Sequence, residues 1–191
     1  MFDDYLNRLN EISPLSEETR VLLTENIKSQ QFKKGEFILN YGETCKHIYF
    51  VNKGFIRIFY YKNGVDITEW FASEKHFFFS ISSYFNETPS KLIIEVIEDS
   101  EIIMHSKAGF EKLRNSNIEI TNLYIELFSK SLMGSQKRME SMQFETAKER
   151  YKSLLEQKPS ILKKVPLQFI ATFLGITKET LSRIRTKNLF F

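Results

Sequence analysis

"GITKETLSRIR", Gly175 to Arg185, sets a glycine, an apolar corner residue and a hydroxyl residue directly ahead of interleaved apolar and cationic side chains. Gly175 supplies the left-handed backbone on which a preceding helix stops, and Thr177 is placed to accept the backbone N–H of Thr180 as the N-cap of the next. Two helices therefore meet at a three-residue corner. Upstream, Pro166 opens a helix over "LQFIATFL" that ends at Gly175. Ile170, Ala171 and Leu174 share one face of it, Ile176 sits in the corner, and Leu181 and Ile184 form the inner face of the second helix. A small residue such as Ala171 suits the close crossing of two helices at roughly 90–120° in a helix-turn-helix.

The outer face of the second helix carries the chemistry: Lys178, Glu179, Thr180, Ser182, Arg183, Arg185 and Lys187 are polar and mostly cationic. An α-helix fits the major groove of B-DNA. There Arg donates two hydrogen bonds to guanine O6 and N7, Glu accepts from cytosine N4, and a Thr methyl meets the thymine methyl. Glu179 and Arg183 are read as base readers, and Lys178 and Thr177 as phosphate contacts at the helix start. The commonest reason for such a face is a solvated amphipathic helix. The tight Gly-Ile-Thr corner and the charge distribution favour DNA instead. Residues 1–142 hold 17 Lys+Arg against 20 Asp+Glu, whereas 143–191 hold 10 against 4, so the positive charge expected of a polyanion-binding segment is concentrated at the C-terminal end.

Ahead of this module the period is helical from Lys107. Steps of three and four from Ile118 reach Thr121, Ile125, Phe128, Leu132, Ser135, Met139 and Met142, a near-continuous apolar seam broken at Thr121 and Ser135. Packing of a long helix on its own domain and a parallel two-chain contact both fit that spacing. "TAKERYKSLLEQKPSILKKV" continues as a further helix to about Leu155, ending before Lys158-Pro159.

From Phe32 to about His105 the pattern is one of strands. "FILNY", "HIYFV", "FIRIFYY", "ITEWF", "LIIEVI" and "EIIMH" are divided by turn signals at Lys34-Gly35, Tyr41-Gly42, Lys53-Gly54, Asn63-Gly64 and Glu98-Asp99. Asn63-Gly64 is the strongest hairpin signal, since both residues tolerate positive φ. Many short strands in a row predict a small sandwich or barrel. The first thirty residues read as helical, with Leu22, Leu23 and Ile27 at near-helical intervals after a break at Ser13-Pro14.

A content of 42% hydrophobic and 27% charged residues is that of a soluble globular protein. The opening stretch lacks the basic and apolar regions of a signal peptide, and no run approaches a membrane span, so a cytoplasmic protein with no membrane partner is expected. A lone Cys45 excludes an intramolecular disulfide and an all-cysteine cage within one subunit; it is read as an inert thiol in an exposed loop. His47, His76 and His105 lack metal-ligand spacing, so no metal site is expected. No G-x-S-x-G, P-loop or paired-carboxylate arrangement stands out, and no enzyme is predicted.

"IATFLGITKETLSRIR" resembles the helix-turn-helix of the Crp/Fnr superfamily of bacterial transcription regulators, where I-A-x-x-L-G-[IV]-[ST]-x-E-T-[LV]-S-R is typical. "GETCKHIYFVNKGFIRIF", Gly42 to Phe59, is similar to that family's cyclic-nucleotide-binding β-roll. The resemblance implies an α+β fold: an N-terminal antiparallel β-roll of cupin or jelly-roll type, a long dimerisation helix and a C-terminal winged helix-turn-helix. The boundaries are placed at 1–108 for the β-roll with its N-terminal helices, 109–142 for the dimer helix and 143–191 for the DNA-binding domain. It further implies a homodimer, joined through Ile118, Ile125, Phe128, Leu132, Met139 and Met142, that contacts bases through Lys178, Glu179 and Arg183. Double-stranded DNA is the main expected partner and RNA polymerase a further candidate. The final "NLFF" leaves little room for a wing, so either a reduced one or a C-terminus docked elsewhere is expected.

Cyclic-nucleotide-binding members carry a phosphate cassette of the form F-G-E-[LI]-A/G, followed by R-[ST]-A. Here Phe78, Phe79 and Ser80 stand where Phe-Gly-Glu would be, and Thr88, Pro89, Ser90 and Lys91 where Arg-Ser-Ala would be. The bulky rings block backbone approach to a phosphate, and Lys91 would have to replace the missing Arg. Control by a cyclic nucleotide is therefore not expected, and no cofactor is assigned. Phe78, Phe79, Tyr84 and Lys91 are the candidate lining of an effector pocket of another kind, with plain core filling as the simpler role of the rings. The oxygen-sensing members need four cysteines, which are absent. The rival from another class is a small-ligand-binding or scaffolding protein with a basic, protein-contacting tail.

Overall fold

The computed structural model describes residues 2–188, with side chains to Thr186. Two short helices, α1 (Asp3–Ile12) and α2 (Glu17–Thr24), are separated where Ser13-Pro14 interrupts the helical spacing. Ser16 caps α2 by accepting the Thr19 N–H at 3.3 Å. Ile27, which continues the helical spacing on paper, instead opens β1 (Ile27–Phe32). Antiparallel pairing with a later strand, Ile27 opposite His105, overrides the local pattern.

The remaining strands are β2 (Phe37–Leu39), β3 (His47–Lys62), β4 (Val65–Ser73), β5 (Phe77–Phe78) and β6 (Ile93–Ser106). They form one antiparallel sheet in the order β1-β6-β3-β4, with β2 added to β6 and β5 to β3. Asn63 and Gly64, at φ 52° and 78°, make the tight turn between β3 and β4, with Lys62 opposite Val65. Two expected turns are not turns. Lys53-Gly54 lies inside β3 and Glu98-Asp99 inside β6, where the ladder between these strands shifts register. Gly54 has φ 110°, and a Cβ on it would lie 2.0 Å from Ser100 Oγ, so glycine there serves a bulge that rolls two long strands together.

The short helix α3 (Ile81–Asn86) bridges β5 and β6, and α4 (Lys107–Arg114) follows β6. The stretch 109–142 is thus not a single helix. Asn117 restarts the chain as α5 (Ile118–Phe144) by accepting the N–H groups of Glu119 and Ile120 at 2.9 and 3.1 Å. After it come α6 (Ala147–Gln157), opened by a reciprocal cap between Thr146 and Glu149, then α7 (Ile161–Lys164), α8 (Leu167–Phe173) and α9 (Lys178–Asn188).

The main core lies inside the roll and against α1, α4 and the first half of α5, with Leu9, Leu23, Phe50, Ile56, Ile94, Ile102, Phe110 and Leu123 buried. A second core joins Tyr151, Leu154, Ile161, Ile170, Leu174 and Leu181 of the C-terminal helices to Phe55, Phe71 and Ile97 of the sheet. The C-terminal helices therefore bury part of their apolar surface on the roll. Arg57 reinforces that contact. Fully buried, it pairs with Asp66 at 2.8 Å and Glu95 at 3.3 Å, donates to Thr68 at 2.9 Å, and lays its guanidinium 3.5 Å above the Phe169 ring of α8. Thr172 of α8 completes the joint, donating to Thr68 Oγ1 at 3.1 Å and accepting the Thr68 N–H at 3.2 Å.

Candidate nucleic-acid interface

Helix α8 ends in a Schellman motif. With Leu174 as C-cap, the Gly175 N–H donates to Thr172 O at 3.1 Å and the Ile176 N–H to Ala171 O at 3.0 Å. Gly175 takes φ 68°, a conformation that glycine adopts without steric cost. Two residues later the Thr177 hydroxyl accepts the Thr180 N–H at 3.2 Å and starts α9. Leu181 is fully buried against α8, and Ile184 is half-buried beside it.

This anchoring turns Lys178, Glu179, Ser182, Arg183 and Thr186 outward, where they line one open concave face. Thr177 is exposed at the corner. Thr180 and Arg185 are half-buried at the edges of the face, and the Thr180 hydroxyl is engaged with Thr177 at 3.2 Å. The Lys187 side chain lies outside the described residues, as does the expected wing at 189–191. Thr186 was not singled out beforehand; its three-residue step from Arg183 was the available signal. The Glu179 carboxyl is held below its ordinary range by its own backbone N–H at the helix start and by the Thr177 hydroxyl. It thus stays an anion among cations, able to accept but not to donate.

Along α5, Ile120, Leu123 and Leu127 are buried against the roll. On another face Ile118, Ile125, Leu132 and Met139, spaced by sevens, are 71, 56, 69 and 48% exposed, and Met142 is 40% exposed. Phe128 departs from the expected seam: it is half-buried, its ring centroid 4.8 Å from Phe85 and 4.3 Å from Tyr124. Both roles open to this helix on spacing alone thus find a face, because 27 residues outrun the roll that the first ten cover.

The candidate effector residues do not converge. Phe78 and Phe79 line a cavity of about 220 Å³ between the roll and α5, with Trp70, Leu127 and Lys130. Tyr84 is buried behind Phe79, ring centroids 5.3 Å apart, and Lys91 is exposed away from the cavity. The other basic residue near α3, Lys107, already donates to Glu87 at 2.8 Å and Tyr84 O at 2.9 Å. Cys45 is not in an exposed loop. It is buried, its thiol donates to His47 O at 3.3 Å, and burial raises its pKa, which leaves it unreactive for a stronger reason than exposure would. Among the described residues no three His, Cys, Asp or Glu side chains gather as a metal site, and no helix is long and apolar enough to cross a membrane.

A rolled antiparallel sheet, a long helix with an uncovered apolar stripe and a terminal helix-turn-helix form a fold shared with solved structures of Crp/Fnr-type proteins. Residues 29–117 match the family of the cyclic nucleotide-binding domain. The fold is shared with FixK2 from Bradyrhizobium japonicum, at a TM-score of 0.71 and 19% identity over 84% of this chain and 83% of that one. A chain from Eubacterium rectale assigned to the crp/fnr family of transcriptional regulators gives 0.70 and 20%, over 89% and 82%. The cAMP-dependent protein kinase regulatory subunit of Debaryomyces hansenii is 24% identical over 120 residues, 63% of this chain and 26% of that protein. The chain spans about a quarter of the length of the curated relatives it matches.

Proposed function

We propose that this chain is a sequence-specific, DNA-binding regulator of transcription of the Crp/Fnr type, acting as a homodimer joined along α5 and not controlled by a cyclic nucleotide. The observation that carries the proposal is the orientation of α9: Leu181 is locked inward while Lys178, Glu179, Ser182, Arg183 and Thr186 face solvent on one side. A helix so held enters a major groove with both a guanine-reading cation and a cytosine-reading carboxylate. The exposed heptad stripe of α5 supports the dimer, which presents two reading helices to two half-sites about 34–36 Å apart. Phe78 and Phe79, buried where a phosphate would need close backbone N–H groups, support control by something other than a cyclic nucleotide. RNA polymerase remains the natural second partner of such a protein, and the cytoplasm its place of action.

Selection from a randomised duplex library tests the proposal. The expected product is a pseudo-palindrome, bound with an affinity that falls steeply as salt rises and is unaltered by cyclic AMP or cyclic GMP. Recovery of no motif, with salt-insensitive or absent binding, would leave the scaffolding alternative in possession.

A further inference from the structure

A second cleft, of about 270 Å³, opens between β4, α5, α6 and the end of α8. Its lining includes the aromatic rings of Trp70 and Phe71 of β4 and Phe173 of α8. It also includes four cations: Lys137 and Arg138 come from α5, Arg150 from α6, and Lys158 from the turn beyond it. The one acid in the lining, Glu145, already accepts the Ser141 hydroxyl at 2.6 Å.

Three of the cations hydrogen-bond to neutral oxygens. Arg150 donates to Leu174 O at 3.0 and 2.9 Å and to Glu145 O, Arg138 donates to Phe173 O, and Lys158 reaches Ser73 Oγ at 3.4 Å. Among the described residues none of the four cations forms an ion pair. The two guanidiniums explain themselves in part as caps on the C-terminal carbonyls of α8. Capping does not account for Lys137 and Lys158, nor for the crowding of like charge. Burial and the neighbouring Arg150 pull the Arg138 guanidinium below its ordinary range against the opposing pull of the Glu69 carboxylate, and burial lowers the Lys158 ammonium. A bound anion would relieve both. Arg138 stacks 3.9 Å above the Phe173 ring and donates to Phe173 O through Nη2 alone.

We propose that this cleft binds a small organic anion with a planar apolar body, its charged end between Arg138 and Lys158 and its ring against Trp70. An aromatic carboxylate is the simplest member of the class. The cleft adjoins the cavity beside Phe78 and Phe79, with Trp70 and Gly134 lining both, but its cations are its own. The inference stands whether or not the chain reads DNA.

Isothermal titration of the full chain with 2-naphthoate, and with the neutral 2-naphthamide, tests it. One naphthoate per chain is expected, with the amide at least tenfold weaker. Lys158→Gln and Arg138→Gln should each weaken naphthoate at least tenfold, and Lys130→Gln, in the other cavity, should not. Lys158 caps no carbonyl, so its variant remains informative if Arg138→Gln melts early. Absence of naphthoate binding to the folded protein, equal binding of acid and amide, or sensitivity to Lys130→Gln with indifference to Lys158→Gln would each overturn the proposal.

Discussion

Arg57 and Arg183 put the same guanidinium to opposite uses. Arg183 is exposed on α9 and has no structural work to do in the fold, so Arg183→Ala should leave stability within about 0.5 kcal/mol. In a library selection the same variant should lose preference at one base per half-site, at a cost of about 1–3 kcal/mol per lost pair. Unchanged selectivity would remove Arg183 as a base reader. His105 offers a residue-scale test of the core. Tyr5 OH lies 3.2 Å from its Nδ1, and burial pushes its pKa from 6.5 down to about 4. Between those values the unfolded chain takes up a proton that the folded one excludes. Stability is therefore complete above about pH 6.5 and declines as pH falls toward 4, by up to about 3 kcal/mol for this group. Urea titrations at pH 7 and 4.5 should show a smaller pH difference for His105→Gln than for the parent, although the burial-lowered His47 and His76 leave a residue of the same sign.

Two glycines in helical surroundings differ in what their elements require. Gly134 lies within α5, and a Cβ there would meet only Trp70 Cη2 at 3.8 Å, an ordinary contact. Gly134→Ala should thus gain about 0.5–1 kcal/mol through helix propensity. Gly175 closes α8 at φ 68°, and a Cβ there would sit 2.5 Å from Met142 Cε. Gly175→Ala should lose about 1–2 kcal/mol through its positive φ, since the Met142 methyl it would meet is the movable end of a flexible side chain. Thermal melts of the pair should move in opposite directions. The stripe on α5 gives the element a second test: Leu132 is 69% exposed, so Leu132→Asp should leave the subunit folded while sedimentation shows the dimer dissociating. A variant that stays dimeric would move the interface elsewhere.

At the scale of the molecule, the joint between roll and helix-turn-helix is a shared core with a buried cation at its centre. Arg57→Ala would strand Asp66 and Glu95, remove the plane stacked on Phe169 and leave a hole between β4 and α8. A loss of roughly 3–5 kcal/mol in urea denaturation is expected, with earlier proteolytic release of the C-terminal helices. This joint could not be read beforehand. Arg57 stands in an apolar run, and its partners Asp66, Glu95 and Phe169 come from three distant segments.

Much of the local structure was written into the chain because its causes are local. The Asn63-Gly64 turn, the Gly175 helix stop, the Thr177 cap and the inward placing of Leu181 each depend on residues within one turn of one another. Those short-range rules also place Lys178, Glu179, Ser182 and Arg183 on one exposed face of α9. What no local rule contains is the choice among long-range partners. Ile27 left its helical spacing for a strand, Lys53-Gly54 became a bulge, Phe128 turned from the seam toward Phe85, and Lys91 parted from Phe79. In the first three cases burial or a ladder formed with residues far along the chain outweighed a preference of the kind worth only tenths of a kilocalorie per residue.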